Sequence, residues 1–333
     1  MKSAHQPAGK LPRWLITPAR WILSLVVLGL LLHFFPFATL RAAISNIPPA
    51  RFVIVLIFYL FAHGIGVLKW RMVVNAAGAE LDLATSAQCY FGGIFGTLFL
   101  PSIIGGDIVR LAVGLRRSPR PAAVLAGNLT DRFLDFSAQA GLVLAGLLLL
   151  PGSLHPAIGG KAFRYMLLLG LGAFFSGVVA YFVYRATIAR SSWKLRRRIV
   201  KLRRALKSAK RRPVALIAGW LVGTLIQFTF LLLTALLAIS CGLTLPLRVW
   251  LVAWPLAKLA AVLPLTQGGM GVREAALVAL LAPFGAPGAL VVAAGLVWEG
   301  VIIAGGLLAG GIALVLRHSS ASSKGGNGWG TDA

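Results

Sequence analysis

The sequence predicts an all-α protein that crosses a membrane several times. Hydrophobic residues make up 58% of the 333-residue chain and charged residues only 12%, more apolar side chain than a soluble core of this size can hide. Several mostly apolar stretches reach about 17 residues or more, the length that a helix needs to cross the hydrocarbon core. Short basic runs separate these stretches, which is typical of loops on the cytoplasmic side.

Six segments of the chain are predicted to cross the membrane, each giving about 25–40 Å of helix at 1.5 Å per residue. They are Trp21–Ala38, Phe52–Leu68, Phe133–Leu150, Phe163–Tyr184, Val214–Ile239 and Leu290–Leu316. With the basic residues 1–20 in the cytoplasm, alternating spans place the basic runs Lys69–Arg71 and Arg116–Arg120 on that side, together with the C-terminus. The spans form one domain over residues 21–317, and the Gly/Ser-rich residues 318–333 are predicted to be disordered.

The formal net charge of +25 is explained better by topology and lipid contact than by nucleic acid. Residues 185–212 hold thirteen Lys or Arg and no acid. Leu195, Ile199, Leu202 and Leu206 form one apolar stripe at helical spacing, which predicts an amphipathic helix on the anionic inner leaflet. Such a helix serves either as an anchored loop or as a surface that gathers lipid.

The sequence contains no motif typical of a metal site, a disulfide framework or a nucleotide-binding site. Both cysteines lie in apolar segments and the five histidines are scattered, so no zinc site or disulfide framework is predicted. No phosphate-binding Gly-x-x-x-x-Gly-Lys-Ser/Thr loop occurs. We therefore expect no metal, no cofactor and no enzymatic activity.

A repeated motif occupies the two remaining apolar stretches, Leu83–Leu115 and Leu247–Leu281. The first contains LPSIIGGDIVR from Leu100 to Arg110, and the second contains LPLTQGGMGVR from Leu263 to Arg273. We interpret each stretch as a re-entrant helical hairpin, and the three spans between them invert the second hairpin relative to the first. Inverted repeats of this kind place a transport site at the repeat interface. The alternative is two ordinary spans per stretch, which raises the total to eight to ten.

The motif has a physical interpretation as an anion site. Proline ends the incoming helix, the glycine pair permits a sharp reversal, and the next helix begins with free amides at its positive dipole end. An arginine on the first turns adds a planar fork for phosphate oxygens. The predicted headgroup-binding residues from the two copies are Gly105, Gly106, Arg110, Gly268, Gly269 and Arg273.

Most of the eight acidic residues are placed where ionised groups are expensive, at about 2.5–3.5 kcal/mol each near the membrane centre. These are Asp107, Asp131, Asp135, Glu274 and Glu299. Asp107 and Arg110 are three apart and suit one helix face. Glu299 has no nearby base in sequence, so its partner must come from another segment. The acids either clamp helices together as ion pairs or form and release such pairs during transport.

The strings LPSIIGGDIVR, LTDRFLDF and LPLTQGGMGVREAAL resemble the lysylphosphatidylglycerol synthase transmembrane (flippase-like) family, over nearly the whole chain from Trp21 to Arg317. The resemblance implies a lipid-translocating membrane domain, here expected to stand alone without the aminoacyltransferase domain. The matching positions are Gly105, Gly106, Asp107, Arg110, Arg132, Gly268, Gly269, Gly271 and Glu274. Two positions depart from the family pattern: Asp131 stands where Glu is expected, and Glu299 where a basic residue is expected.

The leading functional hypothesis is a bacterial inner-membrane flippase that moves an anionic or glycosylated lipid headgroup. Its phosphate is expected to bind Arg110, Arg132 and Arg273, with Lys258 assisting. Asp107, Glu274 and Glu299 are expected to exchange ion pairs during the cycle. The alternative is a non-transporting subunit of an envelope lipid or polysaccharide system, docked through the basic loop. An enzyme acting on lipid phosphate is disfavoured because no His–Asp–Ser constellation is present.

Overall fold

The computed structural model describes residues 29, 37–100, 105–150, 193–262, 266 and 268–325. Within these ranges the chain forms ten α-helices, one short 3-10 turn and no strand, which confirms the predicted all-α class. In chain order the helices are α1 Phe37–Ser45, α2 Pro49–Ala76, α3 Leu83–Thr97, α4 Gly105–Arg117, α5 Pro121–Leu149, α6 Trp193–Lys210, α7 Pro213–Ser240, α8 Leu247–Ala260, α9 Val272–Leu281 and α10 Gly288–Gly325.

Four helices are long and apolar enough to cross a membrane: α2, α5, α7 and α10. Their most apolar windows have mean hydropathies of 1.4 to 2.2, so the chain is a multi-pass membrane protein by length and composition. These helices contain four of the six predicted spans. The predicted span Phe163–Tyr184, nearly all of Trp21–Ala38 and the basic residues 1–20 lie outside the described residues.

Two of the long helices extend well beyond the predicted spans. The predicted basic loop Lys69–Arg71 lies within α2, and α5 begins at Pro121 rather than near Phe133. The predicted loop and the predicted start of α5 are wrong for the same reason. Polar side chains interrupt the apolar sequence of both helices, and such interruptions are typical of loops. Lys69 and Asp131 are buried against one another at 2.9 Å. At the other end of the chain, α10 continues to Gly325, so residues 318–325 are helical where disorder was predicted.

Contacts at the helix ends define two ends of the bundle. At one end, Arg51 at the start of α2 donates a hydrogen bond to Ser240 at the end of α7 (2.7 Å), so these two helices run antiparallel. At the other, the Ser208 hydroxyl of α6 donates to the carbonyl of Ala76, the last residue of α2 (3.2 Å). We call this second end the basic end, since α6 carries nine Lys or Arg residues, more than any other described helix.

Helix α6 packs along the bundle through small side chains. Leu202, Ala205 and Ala209 face the hydrophobic core, whereas Leu206 is 39% exposed. Of the predicted apolar stripe, Leu202 packs against the core and Leu206 faces outward; the Leu195 side chain lies outside the described part. The described basic side chains of this helix are exposed: Arg197, Lys201, Arg203, Arg204, Lys207 and Lys210.

Two pairs of short helices are inserted between the long ones, from opposite ends of the bundle. The pair α3–α4 starts and finishes at the basic end, where Glu80 before α3 pairs with Arg120 after α4 (2.6 Å). The pair α8–α9 starts and finishes at the other end, between the end of α7 and the start of α10. The four arms have 10 to 15 residues and span about 15–23 Å, less than the roughly 30 Å hydrocarbon core.

The glycine pairs of the two motif copies have different structural roles. Gly105 and Gly106 lie in the first turn of α4, where a Cβ on Gly106 would overlap the carbonyl oxygen of Gly93 on α3. Gly268 and Gly269 have φ of 61° and 83°, a left-handed conformation that other residues rarely adopt. The predicted sharp reversal therefore fits only the second pair. The prolines of both copies, Pro101 and Pro264, lie outside the described residues.

We expect Gly106→Ala to push α3 and α4 apart. It should lower the free energy of unfolding by about 1–3 kcal/mol, the usual cost of overpacking. Thermal unfolding of the purified protein in detergent measures the loss. Gly311→Ala is the matched control, since a Cβ at Gly311 meets nothing within 4 Å. Equal stability of the two variants would contradict the close packing at Gly106.

Candidate functional site

A cavity of about 430 Å³ lies where the two short-helix pairs meet the long helices. Most of the predicted site residues line it: Gly106, Asp107, Arg110, Arg132, Asp135, Lys258, Gly268, Arg273 and Glu299. The other four, Gly105, Asp131, Gly269 and Glu274, do not line it, although Asp131 and Glu274 bind side chains that do. The fold thus assembles predicted residues from five helices and from the α8–α9 connection into one site.

The two motif copies approach each other beside this cavity. A Cβ on Gly268, between α8 and α9, would lie 3.7 Å from the carbonyl oxygen of Thr97 at the end of α3. Thr97, Gly106, Gly268 and Met270 all line the cavity. The ends of the two helix pairs, which enter the bundle from opposite sides, therefore meet at its wall.

One side of the cavity carries a balanced ion-pair network, which we call the aspartate cluster. Three bases and three acids form it: Lys69, Arg110, Arg132, Asp107, Asp131 and Asp135. The members come from α2, α4 and α5, so the network ties the first short-helix pair to two long helices. Burial without pairing would cost several kcal/mol per ion, and this arrangement avoids it.

Asp131 is the centre of the aspartate cluster. Its side chain is only 1% exposed and lies 2.9 Å from Lys69, 3.0 Å from Arg132 and 3.8 Å from Arg110. Asp135 is within bonding distance of Lys69 and 3.0 Å from Arg132. The predicted pair Asp107–Arg110 is present at 3.6 Å, as expected for residues three apart on a helix.

Arg110 lines the cavity and retains unused hydrogen-bonding capacity. Its guanidinium lies 4.1 Å from the centre of the Tyr90 ring, a cation–π contact that holds the group in place. Its Nε and Nη1 atoms have no hydrogen-bond partner among the described residues, since both aspartates lie beyond 3.5 Å. A buried donor without a partner is costly, so a ligand oxygen at this position would be stabilising.

On the opposite side of the cavity, Arg273 binds two glutamates. Its Nη2 atom donates to Glu274 and to Glu299, each at 2.6 Å, and its Nε donates to Glu274 at 3.0 Å. Glu299 is on α10, so the partner that the sequence could not provide comes from α9. We call these three residues the Arg273 cluster.

Glu274 also fills the anion site predicted at the start of α9. Its Oε2 accepts a hydrogen bond from the backbone N–H of Gly271 at 2.7 Å, capping the helix from within. The free amides that the sequence predicted for headgroup binding are thus partly occupied by a carboxylate of the chain. At the second motif copy, the Arg273 side chain is therefore the group expected to bind a ligand.

Lys258 on α8 is a cavity cation without an acidic partner. Its Nζ donates to the side-chain oxygen of Gln227 at 2.6 Å and lies 5.4 Å from the Phe230 ring centre. No carboxylate within the described ranges lies within 4.0 Å of it. Its positive charge is therefore available to an anion in the cavity.

Sequence reasoning missed Lys69 and an aromatic wall of the cavity. The wall comprises Tyr59, His63, Tyr90, Phe230, Trp254 and Trp298. Their rings pack edge to face, for example Trp254 against Trp298 with centroids 5.3 Å apart. On α2, the spacing of Tyr59, His63, Gly66 and Trp70 by four, three and four could have revealed one continuous polar and aromatic face.

One wall of the cavity is apolar and reaches the outer surface of the bundle. Phe99, Phe136, Ile303 and Leu307 line the cavity and are 53%, 40%, 42% and 55% exposed. They come from the end of α3, from α5 and from α10. The charged interior of the cavity is therefore continuous with a surface suited to hydrocarbon.

A family model described as "Lysylphosphatidylglycerol synthase TM region" matches residues 19–310. The match includes every charged residue of the cavity and both short-helix pairs. No curated protein and no solved structure matches the sequence significantly. Because the match covers most of the chain, the protein belongs to the lysylphosphatidylglycerol synthase transmembrane-region family.

Proposed function

We propose that this protein translocates the headgroup of an anionic phospholipid or lipid-linked glycan across a bacterial inner membrane. One observation carries the proposal: a cavity with charged groups inside opens through an apolar wall onto the outer face of the bundle. A lipid is divided in the same way as the cavity: its charged headgroup matches the charged interior, and its acyl chains match the apolar wall. The headgroup binds in the cavity while the chains stay in the bilayer beside Phe99 and Leu307.

The dimensions of the cavity agree with this division. Its volume of about 430 Å³ falls at the lower end of the range for small-molecule sites, roughly 300–1,000 Å³. A phosphate with a small polar substituent fits such a volume, and two acyl chains do not. The Nε and Nη1 atoms of Arg110, which have no hydrogen-bond partner among the described residues, and the Lys258 ammonium supply positive hydrogen-bond donors for phosphate oxygens.

The short-helix pairs supply the moving parts of the mechanism. In the proposal they are re-entrant hairpins in an inverted repeat, since their arms are too short to cross and they enter from opposite ends. Each hairpin closes one side of the cavity, and their alternate displacement exposes the headgroup to one leaflet and then the other. Ion pairs to Asp107 on the first hairpin and to Glu299 opposite the second break and re-form in this cycle.

The basic end of the bundle is cytoplasmic in the proposal. Helix α6 exposes Lys and Arg side chains there, and basic residues accumulate on the cytoplasmic side of membrane proteins. Anionic lipids of the inner leaflet attract such a helix. The end of α10 then faces the cytoplasm, because α10 finishes at the same side as α2; the predicted span Trp21–Ala38 places residues 1–20 there too.

Translocation can be tested in reconstituted vesicles containing a fluorescent phosphatidylglycerol, with chemical quenching of the outer leaflet. We expect the wild type to carry inner-leaflet label to the outer leaflet, where it is quenched. Arg110→Gln should do so at a roughly tenfold lower rate, since hydrogen bonds to charged groups contribute about 1.5 kcal/mol or more. Arg117→Gln, at the exposed end of the same helix, is the control and should match the wild type. Wild-type vesicles that behave like protein-free vesicles would overturn the proposed function.

A further inference from the structure

The ionisable groups in and around the cavity are balanced in charge. The aspartate cluster pairs three bases with three acids, and the Arg273 cluster has one base and two acids. Lys258 supplies the one further base, so the whole set carries no net charge when every group is ionised. A cavity of this kind cannot accept an anionic headgroup without acquiring a net negative charge, which is unfavourable in a low-dielectric site.

The Arg273 cluster contains a carboxylate that can be released. Glu274 is fixed by two bonds from Arg273 and one from the Gly271 amide. Within the described residues, Glu299 accepts one hydrogen bond, from Arg273 Nη2 at 2.6 Å, and it lines the cavity. A phosphate oxygen that binds this Nη2 atom therefore replaces Glu299, and the displaced carboxylate is left buried without a base.

We propose that Glu299 is the proton-coupling residue, and that the protein moves an anionic lipid headgroup together with one proton. This inference rests on the proposed function. As the headgroup arrives, Glu299 takes up a proton from water and forms a carboxyl O–H bond, and Arg273 Nη2 donates instead to the phosphate. One negative and one positive charge have entered, so the cavity stays balanced. When the headgroup leaves, Glu299 releases the proton on the other side and pairs with Arg273 again.

Other titratable groups surround Glu299 and must be separated from it by experiment. Helices packed on α10 bring Tyr59 and His63 from α2, Tyr90 from α3, and Arg273 with Glu274 from α9, all but Glu274 lining the cavity. Helix α7 contributes no ionisable side chain, and Arg41 on α1 is exposed. Lys258 on α8 and the aspartate cluster face the same cavity from further away. Among the described residues, Glu299 is the carboxylate that both lines the cavity and pairs with Arg273.

Proton uptake on binding gives a test that does not depend on transport. Purified protein in detergent micelles is titrated with dihexanoyl phosphatidylglycerol by calorimetry, in two buffers of different ionisation enthalpy. We expect uptake to approach one proton per lipid at the alkaline end of the range. Affinity should then rise by up to about tenfold for each pH unit of acidification, because the complex holds more protons than the free protein.

Glu299→Gln imitates the protonated side chain, so this variant should bind the lipid without proton uptake and with an affinity independent of pH. Glu80→Gln, in an exposed pair with Arg120, is the matched control and should keep the wild-type proton uptake. Uptake that persists in Glu299→Gln, or wild-type binding without uptake, would overturn the coupling proposal. Vesicles that translocate lipid without moving protons would overturn it while leaving the proposed function standing. Failure of translocation would overturn the proposed function and the coupled movement with it, whereas loss of proton uptake in Glu299→Gln would still identify Glu299 as the group that is protonated on binding.

Discussion

Replacing Lys258 by glutamine should reduce the translocation of anionic phospholipid by roughly 10- to 100-fold. Lys258 is the cavity cation without an acidic partner in the described part of the chain, so its charge is the one most available to a phosphate. Hydrogen bonds to charged groups contribute about 1.5–3 kcal/mol, which corresponds to this range in affinity. Glutamine keeps a polar group beside Gln227, so the variant tests charge rather than packing.

The matched control for Lys258 is Arg248→Gln on the same helix. Arg248 is exposed at the start of α8 and does not line the cavity. Both variants are assayed in vesicles for transfer of fluorescent phosphatidylglycerol, with protein incorporation measured in each sample. A Lys258→Gln variant that transports at the rate of Arg248→Gln would show that the ammonium does not bind the headgroup.

The sequence predicted the helical class and most of the charged residues that line the cavity, because both have local signatures. Apolar runs marked the four long helices, and the repeated Gly-Gly-x-x-x-Arg spacing marked the two short-helix pairs. Acids in apolar sequence marked the cavity, since such residues are expensive unless paired. The fold brings nine of the thirteen predicted residues to the cavity wall.

The missed features depend on distant contacts. Lys69 follows an apolar run and resembled a loop residue, and only its burial against Asp131 and Asp135 reveals it as part of the site. The Glu274 cap at Gly271 could have been suspected from the three-residue spacing, but not its bond with Arg273. The pairing of Arg273 with Glu299 joins residues 26 apart on separate helices, and no local pattern specifies it.

Asp131 should be the most important single residue of the cavity for stability. Its carboxylate lies within 4 Å of Lys69, Arg110 and Arg132, and its side chain is almost completely buried. We expect Asp131→Ala to lower the free energy of unfolding by about 3–5 kcal/mol, because breaking a buried ion network leaves uncompensated charge behind. Thermal unfolding in detergent, followed by tryptophan fluorescence, measures the effect.

Glu80→Ala is the control for Asp131, because its ion pair with Arg120 is short but exposed. The two side chains are 59% and 58% exposed, and exposed pairs contribute at most about 1 kcal/mol. Each variant removes one carboxylate. A difference between their losses in free energy of unfolding is therefore due to the burial of Asp131 and not to the change in net charge. A small loss in Asp131→Ala would mean that Asp107 and Asp135 alone keep the three bases stable despite one uncompensated positive charge. The ion pairs of the cluster would then be exchangeable during the transport cycle rather than a fixed clamp.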